Sequence, residues 1–262
     1  MSKTQLLEAY VDVQSALKAS ESWEQSYRDS PATFKRLVRQ EAELQAAAVE
    51  YLVGLSGRVS SIVNWSEVKL APVQAAAVPP ENDERFKAEM ALLSAVVSTY
   101  ILEMTTIGAQ AGEHLYKRPI GITSLDDFIL DSAERHTAQL VSQVTGTTRR
   151  LIQRSIKRSI AEGRDFASTL DLLKETVSNP VRAEMIASTE SVNAYQDGLS
   201  RFAEQTGAKT KTWDALSGAC QLCSPLDGET IRRDKQFTLP NGVQVEKPAA
   251  HPRCRCGCIY NY

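Results

Sequence analysis

Most of the chain repeats apolar residues with the period of an α-helix. In residues 32–55 and again in 84–112, apolar positions recur every three or four residues, which is typical of a helix with one buried face. Ser30-Pro31 indicates a helix start, because serine caps a helix and proline suits its first position. Further helices are predicted over about 126–144, 147–162, 168–177 and 180–207. The pattern therefore predicts a mostly α-helical protein with short connections.

One stretch breaks the helical pattern for long enough to separate two regions. Residues 71–83 contain an alanine run followed by Pro79-Pro80, and a helix cannot continue through the proline pair. We therefore predict a loop or an interdomain linker there. Helical periodicity dominates the rest of residues 1–178, which we expect to form a helical region.

The character of the sequence changes after Gly207. Lys209–Trp213 mixes β-branched and aromatic residues with polar ones, which predicts a strand. Residues 237–246 predict a hairpin closed by a type I′ turn at Asn241-Gly242, because that turn needs two positive φ angles. The expected fold is thus mostly α with a small C-terminal α+β module at 179–262.

All five cysteines lie within this module. They form two groups, Cys220-Gln-Leu-Cys223 and Cys254-Arg-Cys256-Gly-Cys258, and His251 stands three residues before the second group. Cys-x-x-Cys followed by His-x-x-Cys supplies four ligands of the kind and spacing found in closed tetrahedral zinc sites. Metal binding contributes about 10–16 kcal/mol to the folding of small zinc modules. We therefore predict a module that zinc stabilises.

The predicted Zn²⁺ ligands are Cys220, Cys223, His251 and Cys254, with Cys256 as the alternate ligand. The His-x-x-Cys spacing favours Cys254, although a regular strand would direct Cys254, Cys256 and Cys258 to one face and leave the choice open. Arg253 and Arg255 are expected to offset the charge of the thiolates. The alternative is a set of reduced thiols without metal; disulfides are disfavoured because the number is odd and the N-terminus lacks the apolar core of a signal peptide.

Composition excludes little else. The 262 residues are 42% hydrophobic and 24% charged, with a formal net charge of -2, which is ordinary for a soluble globular protein and gives no global attraction to nucleic acid. The most apolar segment, Ala91–Leu102, is twelve uncharged residues long. That length is too short to span a bilayer. We therefore expect a buried helix there and no membrane partner.

A basic stripe is predicted on the helix at 147–162. Arg150, Arg154 and Arg158 recur four residues apart and share one face, while three isoleucines at the same spacing share another. The arginine face suits either phosphate groups, an acidic partner or solvent. No base-stacking aromatic accompanies it. We keep the three arginines as a candidate nucleic-acid-binding site.

A catalytic role for the metal is the weaker expectation. Four protein ligands leave no open position for water, whereas a catalytic zinc keeps one. If His251 is a ligand, the other two histidines, His114 and His136, lie far back in the helical region. Only Asp214, Asp227 and Glu229 remain close in sequence as general bases. The predicted site is structural, and a metal-dependent nuclease is the less favoured alternative.

The last predicted helix carries an unusually polar face, with Arg182, Glu190 and Asn193 at helical spacing. We expect Glu190 to form a structural brace with Arg182 or Asn193. An acid–base role for Glu190 has no partner nucleophile close in the sequence.

Residues from Pro180 to Cys258 resemble the phage minor head, or head morphogenesis, protein family (the Mu F-like group). The resemblance lies in the order and spacing of a set of motifs: Arg182, Ser-Thr189-Glu190 with Asn193, Lys211-x-Trp213, Cys220-x-x-Cys223 with Leu226-Asp227-Gly228, and His251-Pro-Arg-Cys254-Arg-Cys256. The family usually has arginine at Ser188 and often aspartate at Ser217. These departures leave the metal ligands unaffected.

The resemblance implies a minor structural protein of a tailed-phage head that is not an enzyme. Such proteins associate with the portal protein and the capsid or scaffold interior during procapsid assembly, in the host cytoplasm, and remain in the head interior of the virion. The resemblance also implies a role in head morphogenesis and in DNA packaging or ejection. A nucleic-acid-binding zinc module that uses Arg150, Arg154 and Arg158 is the runner-up.

Overall fold

The computed structural model describes residues 30–68 and 77–262. The helices are α1 (Pro31–Ile62), α2 (Trp65–Val68), α3 (Glu84–Leu115), α4 (Asp127–Ala161), α5 (Phe166–Val177) and α6 (Pro180–Gln205). The strands are β1 (Thr210–Asp214), β2 (Thr230–Arg232), β3 (Phe237–Thr238), β4 (Gln244–Val245) and β5 (Gly257–Asn261). The predicted helical character of 1–29 and residues 71–76 of the predicted linker lie outside the described residues, while residues 77–83 form bends and turns without a helix, as predicted. The fold is mostly helical with a small C-terminal strand region.

Two helices are longer than the periodicity predicted. Helix α1 continues past Leu55 to Ile62, and α4 runs unbroken through Gly146, where we predicted two separate helices. A glycine inside a helix costs only about 1 kcal/mol relative to alanine. Val144 and Ile152, on either side of Gly146, are both buried. The burial of the continuous apolar face outweighs the glycine, so the helix does not end there.

The strands form two small antiparallel sheets. The first has the order β2-β1-β5, and Trp213 of β1 lies opposite Cys258 of β5. The second is the hairpin of β3 and β4. Trp213 and Phe237 are fully buried and meet edge to face, with ring centroids 5.1 Å apart. This aromatic pair forms the core of the C-terminal module.

The hairpin forms where it was predicted, but its turn type was predicted wrongly. Gly242 has a φ of +83°, whereas Asn241 has no positive φ. The Gly242 N–H donates to the Leu239 carbonyl and the Leu239 N–H donates to the Val243 carbonyl. This is a three-residue loop in which Pro240 enters the turn with its fixed negative φ and Gly242 supplies the left-handed position.

The chain divides into two compact units, each discontinuous in sequence. Unit 1 comprises Met1–Ala46, Thr99–His136 and Met185–Tyr262, and unit 2 comprises Ala47–Ser98 and Thr137–Glu184. The C-terminal strands thus belong to one unit with helical segments from much earlier in the chain. The predicted division into 1–178 and 179–262 stays a prediction about which parts fold independently.

In unit 1, α3 and α6 approach each other closely through glycines. A Cβ atom on Gly108 would lie 1.9 Å from the Tyr195 carbonyl oxygen, and one on Gly198 would lie 1.8 Å from the Thr105 carbonyl oxygen. Only glycine permits backbones to pack at this separation. The close crossing fixes α6 firmly against α3, and α6 in turn positions the site described below.

Unit 2 is held by buried apolar residues and by one ionic group. Glu89 is 6% exposed and accepts two hydrogen bonds from Arg58, at 2.7 and 2.9 Å. The Tyr51 hydroxyl lies 3.3 Å from the same carboxylate. Burial and the Glu89 charge raise the pKa of Tyr51 well above its usual range. The carboxylate is therefore satisfied within the unit.

Helix α3 has the length and apolarity of a membrane span. It is 32 residues long and contains an 18-residue window with a mean hydropathy of 1.5, of which 39% is buried. This window is longer than the twelve uncharged residues at Ala91–Leu102. The core helix of a soluble protein can have the same length and apolarity. The glycine contacts of its C-terminal half are those of a helix packed inside a protein core.

Candidate metal centre

The first pair of candidate ligands lies on a tight knuckle between β1 and β2. The Cys220 carbonyl accepts hydrogen bonds from the N–H groups of Cys223 and Ser224, at 3.1 and 2.9 Å. A short 3₁₀-helix, Ser224–Leu226, follows at once. This turn places the two sulfur atoms of Cys220 and Cys223 on the same side, as the Cys-x-x-Cys spacing predicts.

The second knuckle is the turn from His251 to Cys254. The Cys254 N–H donates to the His251 carbonyl at 3.1 Å, and Arg253 within the turn has a φ of +60°. His251 Nδ1 lies 2.9 Å from the Pro252 carbonyl oxygen, so this nitrogen carries the proton and donates. When the ring is neutral, the lone pair of His251 Nε2 is therefore directed towards the sulfur atoms. A neutral imidazole held in this way is a prepared metal ligand.

The two knuckles bring their donor atoms together. His251 Nε2 lies 3.1 Å from Cys220 Sγ and 3.3 Å from Cys223 Sγ, and the sulfur atoms of Cys223 and Cys254 are 3.8 Å apart. In a tetrahedral zinc site with Zn–S bonds of about 2.3 Å, two sulfur atoms are about 3.8 Å apart, and sulfur and nitrogen atoms about 3.6 Å. The sulfur–sulfur distance matches this geometry, whereas the two sulfur–nitrogen distances are shorter than it requires. The donors form a cluster that can hold a metal ion.

The donors form two overlapping groups of three, and the four predicted ligands Cys220, Cys223, His251 and Cys254 do not fall into one group. One group consists of Cys220, Cys223 and His251, and a second consists of Cys223, Cys254 and Cys256, with all donor atoms of each group within 4.8 Å of one another. Cys223 belongs to both groups. Cys258 belongs to neither, because it lies in β5 opposite Trp213. Strand β5 begins only at Gly257, so Cys254 and Cys256 precede it and the three cysteines do not alternate along one strand.

Two thiols of the donor cluster are prepared to lose protons. Burial would raise the pKa of Cys220, but hydrogen bonds from the N–H groups of Cys223 and Leu222 outweigh it and lower that pKa. Hydrogen bonds from the Cys223 and Cys256 thiols lower the pKa of Cys254, and the same contact with Cys254 raises the pKa of Cys223. The pKa of Cys256 is raised to about 12, and burial raises that of Cys258 to about 12. Without a metal the thiolate character therefore lies at Cys220 and Cys254, and a bound cation would have to displace the proton of Cys223.

Helix α6 anchors the second knuckle along one stripe. We call residues 246–256 the metal loop and Thr189, Asn193 and Asp197, which are four residues apart, the anchor stripe. Thr189 Oγ1 accepts from the Arg253 N–H and Asn193 Oδ1 accepts from the Ala249 N–H, both at 3.0 Å. Asp197 Oδ1 accepts from Lys247 Nζ at 2.7 Å. One face of one helix therefore positions the loop that carries three donors.

A buried ion pair adds a further anchor. Both terminal nitrogens of Arg255 donate to the carboxylate of Glu41, at 2.7 and 2.6 Å, and Glu41 is fully buried. Arg255 also donates to the Ser188 carbonyl of α6 at 3.1 Å. The sequence suggested that this arginine offsets thiolate charge; the structure shows that it binds helices α1 and α6. Nothing in the sequence marks Glu41 as its partner, since the two are 214 residues apart.

Glu190 has a different partner from the one predicted. Arg182 donates to the Val144 carbonyl and to Thr148 Oγ1, and it makes no brace with Glu190. Glu190 instead lies 2.8 Å from His136 Nε2, and Asn193 Nδ2 donates to it at 3.4 Å. The Asn193 half of the prediction is confirmed. His136 was missed because its partners are 54 and 61 residues away in sequence.

The remaining candidate residues lie outside the donor cluster. Arg150, Arg154 and Arg158 are exposed on α4; Arg158 pairs with Glu162 at 2.8 Å and Arg150 bonds to Thr147. Asp227 accepts from the Ala215 N–H at 2.9 Å, and burial, followed by the Asp227 charge, raises the pKa of Asp214. Neither of the two donor groups found within residues 30–68 and 77–262 includes an acidic residue.

Comparison of the chain with protein-family models, with curated proteins and with solved structures finds no match in any of the three.

Proposed function

We propose that this protein is a minor structural protein of a tailed-phage head whose C-terminal module is held by one structural Zn²⁺. The observation that supports this most is the donor cluster itself. Two groups of three donors share Cys223, and the loop that carries three of the five donors is fixed to α6 by side chains of the motif. Such a site serves to fold a surface rather than to hold a reacting water.

Zinc is the metal that this donor set favours. Thiolate sulfurs and a neutral imidazole suit a borderline-soft cation with tetrahedral geometry. We assign Cys220, Cys223, His251 and Cys254 as ligands, with Cys256 as the alternate. The bound ion would join the two knuckles, which are 31 residues apart, and so close the module around Trp213.

The module then offers a rigid surface for assembly. The spacing of its motif residues resembles that of phage minor head proteins, and those same residues make the internal contacts seen here: Thr189 and Asn193 bind the metal loop and Trp213 forms the core. The proposed partners are the portal protein and the capsid or scaffold interior. The proposed location is the head interior of the virion, reached from the host cytoplasm during assembly, with a role in DNA packaging or ejection.

The metal assignment is tested on protein purified without added metal. We expect one zinc per chain in the wild type and none in Cys223→Ser, because Cys223 belongs to both donor groups. Cys258→Ser is the matched control: its thiol is equally buried but lies outside both groups, so zinc should be retained. X-ray absorption at the zinc edge then distinguishes three sulfurs and one nitrogen from four sulfurs. Thiols that titrate freely without any bound metal would contradict the assignment.

The assembly assignment needs a partner. We expect the full chain to co-purify with the portal protein of the phage that encodes it and to occur in few copies per procapsid. Cys223→Ser should lose this association if the module carries the contact, while Cys258→Ser should keep it. A wild-type protein that contains zinc but is absent from procapsids and portal complexes would refute the assembly role and leave the metal centre intact.

A nucleic-acid-binding zinc module is the second candidate function. The exposed Arg150, Arg154 and Arg158 on α4 favour it, because a linear array of cations suits a phosphate backbone. A metal-dependent nuclease is the third candidate and the weakest, since the four proposed ligands would leave no coordination position for water. If the protein releases acid-soluble nucleotides in a zinc-dependent way, and Cys223→Ser does not, the nuclease function would be favoured over the other two.

A further inference from the structure

A histidine lies between two carboxylates in the interior of unit 1. His136 Nδ1 is 2.7 Å from Asp197 Oδ2, and His136 Nε2 is 2.8 Å from Glu190 Oε2. The His136 side chain is 6% exposed, Glu190 12% and Asp197 25%. Helix α4 contributes the imidazole and α6 contributes both carboxylates. No part of the metal centre described above uses this histidine.

The arrangement requires a protonated ring. A carboxylate only accepts hydrogen bonds, so both ring nitrogens must donate, and both do so only in the imidazolium form. Burial by itself would lower the pKa of His136, but the hydrogen bonds and charges of Asp197 and Glu190 outweigh burial and raise it to about 9. Burial likewise opposes ionisation of Asp197, but Lys247 and His136 lower its pKa to about 2.

The charges of the group balance. His136 is faced by Glu190 and Asp197 from α6, and Asp197 also accepts from Lys247 Nζ at 2.7 Å. Tyr260 of β5 is the further titratable group close enough to Asp197 to interact with its charge. Two cations and two carboxylates therefore form a chain of contacts that is neutral as a whole, which is the form in which buried ionic groups are tolerated.

This chain of contacts ends at the metal loop. Lys247 stands four residues before the ligand His251. Its neighbours are also held: Lys211 Nζ donates to the Glu246 carbonyl at 2.6 Å, and the Ala249 N–H donates to Asn193 Oδ1 at 3.0 Å. Three anchors thus fix the chain leading into the second knuckle, and one of them, Lys247, depends on the orientation of Asp197.

We infer that His136 and Asp197 are positioning residues of the metal centre: the His136 imidazolium orients Asp197, Asp197 holds Lys247, and Lys247 places the chain that carries His251. The inference rests on the metal centre proposed above. It adds a control point in the first third of α4, remote in sequence from every ligand, and it makes the geometry of the metal centre depend on one proton.

The direction of the pH effect follows from the pKa of His136. That pKa is about 9 in the folded protein, above about 6.5 for an unperturbed histidine. The contribution of the imidazolium is therefore complete below about pH 6.5 and is lost as the pH rises through about 9. Deprotonation of the thiol ligands strengthens metal binding over the same range. The two effects oppose each other, so variant and wild type must be compared at each pH.

The test measures zinc affinity of the full-length protein by competition with a chelator at pH 7 and pH 9.5. We expect His136→Gln to bind zinc about tenfold more weakly than the wild type at pH 7, the lower end of the usual effect of a positioning group. At pH 9.5 the ratio should approach one. His114→Gln, on an exposed histidine of α3, should match the wild type at both values. A ratio for His136→Gln that stays the same at both pH values would overturn the inference.

A second variant and a metal-free measurement guard against a folding defect. Lys247→Met keeps the apolar stem and removes the charge, so it should reproduce the weaker binding while circular dichroism stays unchanged. In the metal-free wild type, nitrogen NMR should show two protonated ring nitrogens on His136 at pH 7.5, and hydrogen exchange should show protection of the Ala249 amide that Lys247→Met reduces. A neutral His136, or an unaltered Ala249 amide, would refute the positioning role even if no zinc binds.

Discussion

Two helices carry polar stripes with the same spacing, but one stripe is exposed and the other binds a loop of the protein. On α4, Arg150, Arg154 and Arg158 stand four residues apart and are exposed. On α6, Thr189, Asn193 and Asp197 stand four residues apart, and each binds the metal loop at 3.0 Å or less. A stripe at this spacing lies along one face of any α-helix. Periodicity alone does not say whether solvent or another part of the protein meets that face.

The difference lies in the chemistry of the side chains. The three side chains of the anchor stripe are short and offer oxygen atoms, which can satisfy the backbone N–H groups of a loop that lacks secondary structure. Buried N–H groups need such partners. The arginines offer only donors on long flexible stems, so they cannot serve N–H groups and remain solvated. A stripe of short acceptors next to a loop-rich module therefore indicates anchoring, and a stripe of long donors indicates a surface.

The largest effect is expected when the charge that holds the metal loop to α1 and α6 is removed. We expect Arg255→Met to lower the free energy of unfolding by about 3–5 kcal/mol, because the fully buried carboxylate of Glu41 loses its cation. Denaturant unfolding followed by circular dichroism measures this loss.

Arg36→Met is the matched control for that change. Arg36 pairs with Glu103 at 2.7 Å, but the two side chains are 48% and 37% exposed, so the loss should stay below about 1 kcal/mol. The double variant Glu41→Leu with Arg255→Met should recover part of the stability, since no unpaired charge remains. Equal losses for Arg255→Met and Arg36→Met would show that burial of the pair does not matter.

A smaller effect is expected from a single member of the anchor stripe. Thr189→Val preserves shape but removes the acceptor of the Arg253 N–H, and the loss should be about 1 kcal/mol. Hydrogen exchange at the Arg253 amide should become faster. Thr106→Val is the control, because Thr106 bonds only to the Leu102 carbonyl of its own helix. If exchange at Arg253 is unaffected by Thr189→Val, the stripe does not anchor the loop.

The smallest effect is expected on the arginine stripe. Reversing the charge at Arg150, Arg154 and Arg158 to glutamate should change stability little, because the residues are exposed and the ion pair of Arg158 with Glu162 is exposed as well. Duplex DNA binding should be weak in the wild type and change little in the variant. Each phosphate contact that is truly made would contribute a slope of about 0.9 to the dependence of binding on salt. Tight, salt-dependent binding that the triple variant abolishes would turn the stripe into a DNA-binding face.

The sequence predicted the elements better than their limits. Apolar periodicity located α3 and α6 within a few residues, and the proline at 31 marked the start of α1 correctly. It failed at Gly146, where continuous burial of one helix face overrode the local preference for a break. It also failed in the turn at Pro240–Gly242, because the Asn-Gly pair was considered without the proline before it.

By itself the sequence determined the identity of the donors in the candidate site. A spacing of three residues suits a single turn, and one turn holds Cys220 and Cys223 while another holds His251 and Cys254. Local spacing also determined which stretches are helical, since periodicity depends only on neighbouring residues. These properties arise within about ten residues of chain, and a sequence displays them directly.

Only the tertiary structure decided which distant groups meet. It paired Arg255 with Glu41, placed His136 between Glu190 and Asp197, and brought Lys247 to the same carboxylate. Each of these contacts joins residues that are fifty or more positions apart in the sequence, so no local sequence pattern predicts it. They form because burial leaves each charge without water, so each must find an opposite charge within the fold. That requirement exists only once the chain has folded.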